Sequence, residues 1–330
     1  MRHGCSVTSS RASAAGGISR ADFAALMFLG AVWGGAFLFL HIAAPQVGPI
    51  WAAEFRIGGA ELILVALAGR RTWRAARGRI LPIAFVGATF SAIPFSLIAF
   101  ASLTLPTGFA ALLNAATPIF TALVGAAWIG HRLTGRAVVG MGIGVISVLV
   151  LVGWSPLPLG PATILAVAAA LGAALSYAVA GTWVRRRLSD MSGIEVATGQ
   201  LVTGALVLLP FAILSGPPGV PGPDGIASLV AVAIVSTALA WPIFFRVSSR
   251  TTPTAASTVT FIVPAFGIAW GALVLGEHVG AELIVGFALV MVSLVLVLGI
   301  RLPLDTARAW ILAPARGFFG RRPAANTTPA

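Results

Sequence analysis

The sequence predicts an all-α integral membrane protein with ten transmembrane helices, arranged as two inverted five-helix repeats with both termini in the cytoplasm. Three observations support this prediction: the composition, the placement of the arginines and an internal repeat. Of the 330 residues, 58% are hydrophobic and 9% are charged, and the mean hydropathy is +0.99. Soluble domains carry roughly 25% charged residues, so a water-soluble fold is excluded.

Ten apolar runs follow one another along the chain, separated by Pro, Gly or charged residues. Each is close to the roughly 20 residues that a helix needs to cross the hydrocarbon core. The runs cover residues 23–42, 50–69, 80–100, 107–129, 137–153, 162–184, 194–214, 226–245, 254–275 and 283–300. The first run is longer than the apolar part of a signal peptide, about 7 to 15 residues, and is interpreted as a retained helix.

The arginines predict the orientation of these runs. All 21 basic residues are arginines, and all of them except Arg56 lie in short clusters before the first run or after an even-numbered run. The loops after the odd-numbered runs up to the ninth contain none. Because cytoplasmic loops are enriched in basic residues, both termini are predicted to be cytoplasmic in a multi-pass protein of the plasma membrane. The net charge of +12 therefore indicates orientation and not binding of nucleic acid.

An internal repeat accounts for the number of runs. Residues 107–153 align with residues 253–299 without a gap, and Pro118 falls on Pro264 in the middle of a run in both copies. Because the repeat unit has an odd number of helices, five, its second copy must enter the membrane from the opposite side, as in many secondary transporters. The predicted segments are a cytoplasmic tail (1–21), a first repeat (22–153), an external linker (154–160), a second repeat (161–300) and a cytoplasmic tail (301–330).

The two copies differ in charge after their fourth helices. The stretch AAWIGHRLTG contains His131 and Arg132, whereas the matching stretch ALVLGEHVGA contains Glu277 at the position of His131. Inversion explains the difference, because the loop with Arg132 and Arg136 is predicted to be cytoplasmic and the loop with Glu277 external.

These residues resemble the EamA-type permeases of the drug/metabolite transporter superfamily. NAATPIFTALVGAAWIGHRLTGRAVVG and TFIVPAFGIAWGALVLGEHVGAELIVG are similar to that family's two fourth helices and the acidic signature after them. WGGAFLF and EFRIGGAEL are similar to its first and second helices. The resemblance covers residues 22–300 and implies transport of small molecules, with export favoured over uptake. Glu277 keeps the signature acid, and His131 departs from it.

Weakly polar and aromatic side chains within the runs are candidates for substrate contact. They recur at helical spacing, or lie deeper than an interfacial aromatic belt requires, and they either line a substrate cavity or pack helices together. The candidates are Trp33, Asn114, Thr117, Tyr177, Trp241 and Thr260. Pro118 and Pro264 are candidate helix breaks, which a membrane tolerates where protein or water satisfies the freed backbone groups.

The second run holds most of the ionisable residues predicted to lie in the membrane. Such groups are costly in lipid and are commonly functional. Glu61 is the candidate for proton coupling or substrate contact, and Arg56 is its candidate ion-pair partner. The alternative for Glu61 is a purely structural pair with Arg56 or with a polar neighbour. Glu54 lies closer to the start of the run, where water is near.

The predicted function is secondary transport of a small metabolite, an amino acid or a drug-like molecule by alternating access. A lipid or polyprenyl-carrier flippase on the same scaffold is the alternative, and an intramembrane enzyme is disfavoured because HExxH and GxSxG motifs are absent. No P-loop for a nucleotide is present. No cofactor or metal site is predicted, and the expected partners are membrane lipid and a small-molecule substrate, with coupling to protons left open.

Overall fold

The computed structural model describes residues 19–76, 78–130, 132–158, 160–216, 218–251 and 258–300. The predicted C-terminal tail, nearly all of the N-terminal tail and His131 lie outside this set. All regular elements in the described ranges are helical. The α-helices are α1 (Arg20–Val47), α2 (Pro49–Ala76), α3 (Ile80–Val86), α4 (Ile93–Ala101), α5 (Thr107–Asn114), α6 (Thr117–Ile129), α7 (Gly135–Gly153), α8 (Pro161–Arg187), α9 (Gly193–Leu214), α10 (Pro223–Val230), α11 (Ala240–Arg250), α12 (Val259–Leu275) and α13 (Ala281–Val297). Two π-helical segments, π1 (Gly87–Ala92) and π2 (Ala231–Leu239), join α3 to α4 and α10 to α11.

Seven helical segments of the described chain are long and apolar enough to cross a membrane. They are Arg20–Val47, Ile80–Ala101, Thr107–Ile129, Gly135–Gly153, Pro161–Arg187, Gly193–Leu214 and Pro223–Arg250. The helices α12 and α13 are apolar but shorter, at 17 residues each. The helix α2 has 28 residues, and its first half contains Glu54, Arg56 and Glu61. The predicted all-helical membrane fold is confirmed for the described residues, whereas the count of ten spans stays a prediction.

Hydrogen bonds from arginine side chains link segments that are far apart in sequence at one end of the bundle. We call it the arginine end, and it comprises the loops at residues 78–79, 132–134 and 188–192. Arg79 donates to the Asp190 carboxylate at 2.6 Å, and Arg136 donates to the carbonyl of Ile300 at 2.6 Å. The hydrogen bond from Arg79 and its positive charge hold the pKa of Asp190 below its ordinary value.

The opposite end, called the far end, comprises the loops at residues 101–106, 154–158, 218–222 and 276–280. The Trp51 indole donates to the carbonyl of Gly216 at 2.7 Å. The Gln46 side-chain oxygen accepts from the amide of Gly222 at 2.8 Å. Both bonds join a helix end of the predicted first repeat to a loop of the predicted second repeat, so the two halves are tied together at this end.

The two halves of the chain pack against each other and not as separate bundles. The first helix of each half contacts the fourth helix of the other, as α1 contacts α12 and α8 contacts α5 and α6. The second helices, α2 and α9, contact each other, and so do the fifth helices, α7 and α13. The largest hydrophobic core accordingly contains buried residues of both halves, such as Leu40, Leu112, Ala170 and Leu294.

The closest approach of α1 to α12 is at glycines one turn apart, Gly30 and Gly34. A Cβ atom at Gly34 would lie 2.8 Å from the amide nitrogen of Gly267 and 2.8 Å from the carbonyl oxygen of Val263. Small residues spaced by four are typical of such crossings in membranes.

We therefore expect Gly34→Ala to lower the midpoint of thermal unfolding, because two of the three atoms that the new methyl group would meet are backbone and the third, the Phe266 Cβ, is fixed to the backbone. Overpacking of this kind costs about 1–3 kcal/mol. Gly58→Ala on α2 is the matched control, since no atom lies within 4 Å of a Cβ there. Equal losses of stability in the two variants would contradict the close crossing.

Candidate functional site

A cavity of about 1080 Å³ lies between the two halves of the bundle. Its wall extends to Arg132, Leu133 and Thr134, three exposed residues of the arginine end. None of the described residues in the four far-end loops lines it. The cavity is therefore accessible from the arginine end and closed at the far end.

The structure brings the predicted substrate-contacting residues to the wall of this one cavity. They are Trp33, Asn114, Thr117, Tyr177, Trp241 and Thr260. Arg56, Pro118 and Pro264 line the same cavity. Glu61 does not, because it lies about one and a half turns beyond Arg56 on α2. These positions are compatible with substrate contact, which remains a proposal for each residue.

The partner of Arg56 differs from the one suggested by the sequence. Its Nε donates to the hydroxyl of Thr237 at 3.1 Å, and its Cζ lies 3.7 Å from the centre of the Phe95 ring. Glu61 is only partly buried and has no hydrogen bond or ion pair within the described chain. The proposed ion pair between Arg56 and Glu61 is therefore not formed, because the Arg56 side chain is directed to π2 and α4.

The guanidinium of Arg56 is held by a buried hydroxyl. Thr237 is fully buried on π2 and donates its own hydroxyl proton to the carbonyl of Val232 at 2.8 Å. That bond leaves the lone pairs of the hydroxyl oxygen for Arg56. Arg56 is 7% exposed, so its charge lies inside the protein at the edge of the cavity.

Five aromatic side chains form a continuous surface along the cavity, which we call the aromatic wall. It runs from Phe95 through Tyr177, Phe90 and Trp241 to Trp33, with ring centres 6.4, 5.2, 5.6 and 5.7 Å apart in that order. Aromatic pairs at such distances contribute about 0.5–1.5 kcal/mol beyond their buried area. The end of the wall at Phe95 is the ring that also contacts Arg56, so a cation and an apolar surface adjoin.

The π-helical segments supply side chains that the sequence did not single out. Phe90 lies on π1, while Ser236 and Thr237 lie on π2, and the carbonyl of Ser236 accepts from the Trp33 indole at 3.1 Å. Segments of this kind are frequent at functional sites. No residue pattern marks them, and Phe90 and Phe95 are two of 19 phenylalanines.

The two candidate helix breaks behave differently. At Pro118 the helix is interrupted, since α5 ends at Asn114 and α6 begins at Thr117. The side-chain oxygen of Asn114 is buried there without a hydrogen-bond partner in the described chain. At Pro264 the break is not observed, because α12 runs continuously through it. A proline removes one hydrogen bond from a helix interior. At Pro118 the Thr117 hydroxyl donates to the Asn114 carbonyl at 2.7 Å, a bond that Val263, the residue before Pro264, cannot make.

The described wall of the cavity is positively charged. It includes Arg56 inside the bundle and the exposed Arg132 and Arg185 at the arginine end, and no Asp or Glu is found among its described residues. No group of three His, Cys, Asp or Glu in the described ranges is placed to hold a metal ion. The arrangement is suited to binding an organic molecule and offers no described nucleophile and base pair.

A carboxylate links the two halves of the bundle at the far end. Glu277 follows α12, and its two oxygens accept from the backbone amides of Thr107 at 2.7 Å and Gly108 at 3.4 Å. These amides belong to the first turn of α5, where the N–H groups have no partner within the helix and the helix dipole favours an anion. We call Glu277, Thr107 and Gly108 the far-end clasp, and it joins the fourth helices of the two halves.

The fold and the cavity define a helical membrane transporter of small molecules. The family model described as the EamA-like transporter family matches the chain twice, at residues 23–153 and 164–299. The chain belongs to this family, which confirms the resemblance found in the sequence.

Relatives and a solved structure extend this result over most of the chain. Protein PecM of Dickeya dadantii (strain 3937) is 25% identical over 290 residues, covering 85% of this chain and 93% of PecM. A "Probable amino-acid metabolite efflux pump" of Escherichia coli (strain K12) is 26% identical over 299 residues, covering 86% and 97%. A protein of known crystal structure, 20% identical, superposes with a TM-score of 0.58 over 87% of this chain and 98% of that chain, and this likeness supports the fold alone.

Proposed function

We propose that this protein is a secondary transporter that exports a small metabolite, amino acid or drug-like molecule across the cytoplasmic membrane by alternating access. The observation that supports the proposal best is the cavity between the two halves, accessible at one end and closed by the far-end clasp at the other. Because basic loops stay on the cytoplasmic side, the arginine end is assigned to the cytoplasm. The described conformation is then open to the inside.

Alternating access between inverted repeats requires equivalent helices to run in opposite directions. Two contacts support this arrangement. Glu277 at the end of α12 contacts the start of α5, and Arg136 at the start of α7 contacts the carbonyl of Ile300 after the end of α13. We accordingly propose two inverted five-helix repeats over residues 22–153 and 161–300, with the linker 154–160 external and both tails cytoplasmic.

Export is supported by relatives and not by geometry. The efflux named in the Escherichia coli relative suggests outward movement of an amino acid or a related metabolite. The opening of the cavity at the arginine end would admit such a substrate from the cytoplasm.

Transport assays in proteoliposomes test the proposal. Amino acids, nucleobases, sugars and organic acids are loaded in turn, and release is followed with and without a proton gradient. We expect at least one solute to be released from vesicles that contain the protein and not from protein-free vesicles. Movement of a lipid analogue with no movement of any solute would favour the flippase instead.

Labelling of single cysteines tests the topology in a Cys5→Ser background. Asp190→Cys at the arginine end and Asp224→Cys at the far end are both exposed positions. They should react with a membrane-impermeant maleimide from opposite sides, and reaction of both from one side would reject the inverted repeats.

Proton coupling through Glu61 is a separate part of the proposal. The carboxylate lies within α2 and has no hydrogen bond or ion pair in the part of the chain that the structure describes, so it is free to bind a proton. We expect Glu61→Gln to keep its folding and to flatten the pH dependence of transport in vesicles. Glu54→Gln, about two turns earlier on the same face of α2, tests whether a second carboxylate of this helix shares the role. An unchanged pH profile in folded Glu61→Gln protein would exclude this role.

A further inference from the structure

Arg56 is a buried cation with unused hydrogen-bond donors. A guanidinium has five N–H groups, and in the described chain one of them, at Nε, is bound by Thr237. The two terminal nitrogens have no hydrogen-bond partner among the described residues, and the side chain lines the cavity. A charge taken out of water is costly unless it is paired. The cavity therefore contains a fixed site for an anion.

The forked shape of these donors specifies the kind of anion. Two parallel N–H groups of a guanidinium match the two oxygens of a carboxylate, and charge-assisted bonds of this kind are roughly twice as strong as neutral ones. The neutral partner Thr237 fixes the position of Arg56 without cancelling its charge. A neighbouring carboxylate such as Glu61 would have cancelled it, and it does not contact Arg56.

The charge of the remaining cavity wall also favours an anionic ligand. Arg132 and Arg185 stand at the mouth of the cavity, and none of the described wall residues is an acid. A mouth lined by charges of one sign concentrates ligands of the opposite sign. An ammonium group would meet no carboxylate there, and beside the anion site the ring that could bind a cation, Phe95, is already occupied by Arg56 at 3.7 Å.

The rest of the ligand is specified by the aromatic wall. Phe95 contacts both Arg56 and Tyr177, so the wall begins beside the anion site and extends to Trp33. A molecule whose carboxylate reaches Arg56 would place its body against these rings. The volume of about 1080 Å³ lies near the upper end of the roughly 300–1,000 Å³ of ligand pockets, which is enough for a ring system or a long apolar chain.

We propose that the cavity selects amphipathic organic anions, namely monocarboxylates with an aromatic or bulky apolar body, and that Arg56 binds the carboxylate. This inference rests on the proposed transport function and names its substrate class. It separates this protein from a carrier of free amines, and it makes the ammonium group of an amino acid dispensable for binding.

A series of probes with one ring and different charges tests the proposal on the purified protein. Phenylacetate, 2-phenylethanol, phenethylamine and phenylalanine are titrated while tryptophan fluorescence is recorded. We expect phenylacetate to bind at least about tenfold more tightly than 2-phenylethanol, the size of one charge-assisted hydrogen bond, and phenethylamine to bind most weakly. Equal binding of the four probes, or a preference for phenethylamine, would overturn the substrate class.

Variants of Arg56 assign the selectivity to this residue. Arg56→Gln should lower the affinity for phenylacetate to that for 2-phenylethanol and leave the alcohol unaffected, while Arg56→Lys should retain part of the preference. Arg186→Gln is the matched control, because Arg186 is an exposed neighbour of Arg185 that does not line the cavity. A preference for phenylacetate that survives in Arg56→Gln would overturn the assignment. If the variant does not fold, the probe series on the parent protein still decides the substrate class.

The two levels of the proposal fail in distinguishable ways. Transport of neutral or cationic probes with no preference for phenylacetate would contradict the proposed anionic substrate class but not the proposed transport function. Binding of phenylacetate with no movement of any solute in proteoliposomes would contradict the proposed transport function but not the proposed anion site.

Discussion

Glu277→Ala is expected to open the cavity to the far end. In the parent protein the Glu277 carboxylate accepts from two backbone amides at the start of α5, and hydrogen bonds to a charged group contribute about 1.5–3 kcal/mol. Their loss should shift the balance between the closed and open far end by about tenfold or more, since 1.4 kcal/mol corresponds to a factor of ten. The amides would then be satisfied by water.

Accessibility of a cavity cysteine measures this shift. Thr117→Cys, in a Cys5→Ser background, places a thiol on the cavity wall. When Glu277 is present, an impermeant maleimide should modify this cysteine mainly from the arginine end. In the Glu277→Ala variant, the rate of modification from the far end should rise about tenfold.

Glu282→Ala is the matched control for this experiment. Glu282 is also an acid at the far end, in the first turn of α13, and it makes no hydrogen bond to another helix within the described residues. Unchanged modification of Thr117→Cys from the far end in Glu277→Ala would show that the carboxylate does not hold this end closed.

The partners of Arg56 and Glu277 show where sequence reasoning reached its limit. Composition and the alternation of arginines depend on neighbouring residues along the chain, and they predicted a helical membrane protein. The hydroxyl that binds Arg56 is 181 positions away, and the amides that bind Glu277 are 170 and 169 positions away. Such contacts depend on which helices pack together. The repeat gave the correspondence between α5–α6 and α12, but not the contacts between them.

The aromatic residues also show which parts of the site the sequence could and could not predict. Trp33, Tyr177 and Trp241 were distinguishable because Trp and Tyr are scarce, with 9 Trp and 1 Tyr in the chain. Phe90 and Phe95, which connect them into one surface, have no such signal among the phenylalanines. Pro118 and Pro264 are equivalent in the alignment, yet the helix breaks only at Pro118. The Thr117 hydroxyl donates to the Asn114 carbonyl at that break, whereas the residue before Pro264 is Val263, which has no hydroxyl.

Trp241→Ala is expected to weaken ligand binding without changing the preference for charge. Trp241 is the centre of the aromatic cluster, with ring centres 5.7 Å from Trp33, 5.6 Å from Phe90, 6.0 Å from Phe244 and 5.5 Å from Phe245. It therefore joins aromatic residues of both halves. Its removal takes away contact area for the body of the ligand and loosens the rings on either side, while Arg56 keeps Thr237 and Phe95 as partners.

The prediction is quantitative and separable from that for Arg56. The affinities for phenylacetate and 2-phenylethanol should both fall by about two- to tenfold, since an aromatic contact contributes about 0.5–1.5 kcal/mol and 1.4 kcal/mol corresponds to a factor of ten, and their ratio should stay as in the parent protein. Trp241→Phe should recover most of the affinity. Trp154→Ala is the control, because Trp154 is 60% exposed at the far end and has no ring partner in the described chain. Loss of thermal stability in Trp241→Ala with both affinities unchanged would mean that the aromatic wall packs helices together and does not contact substrate, which is the alternative that the sequence left open for these residues.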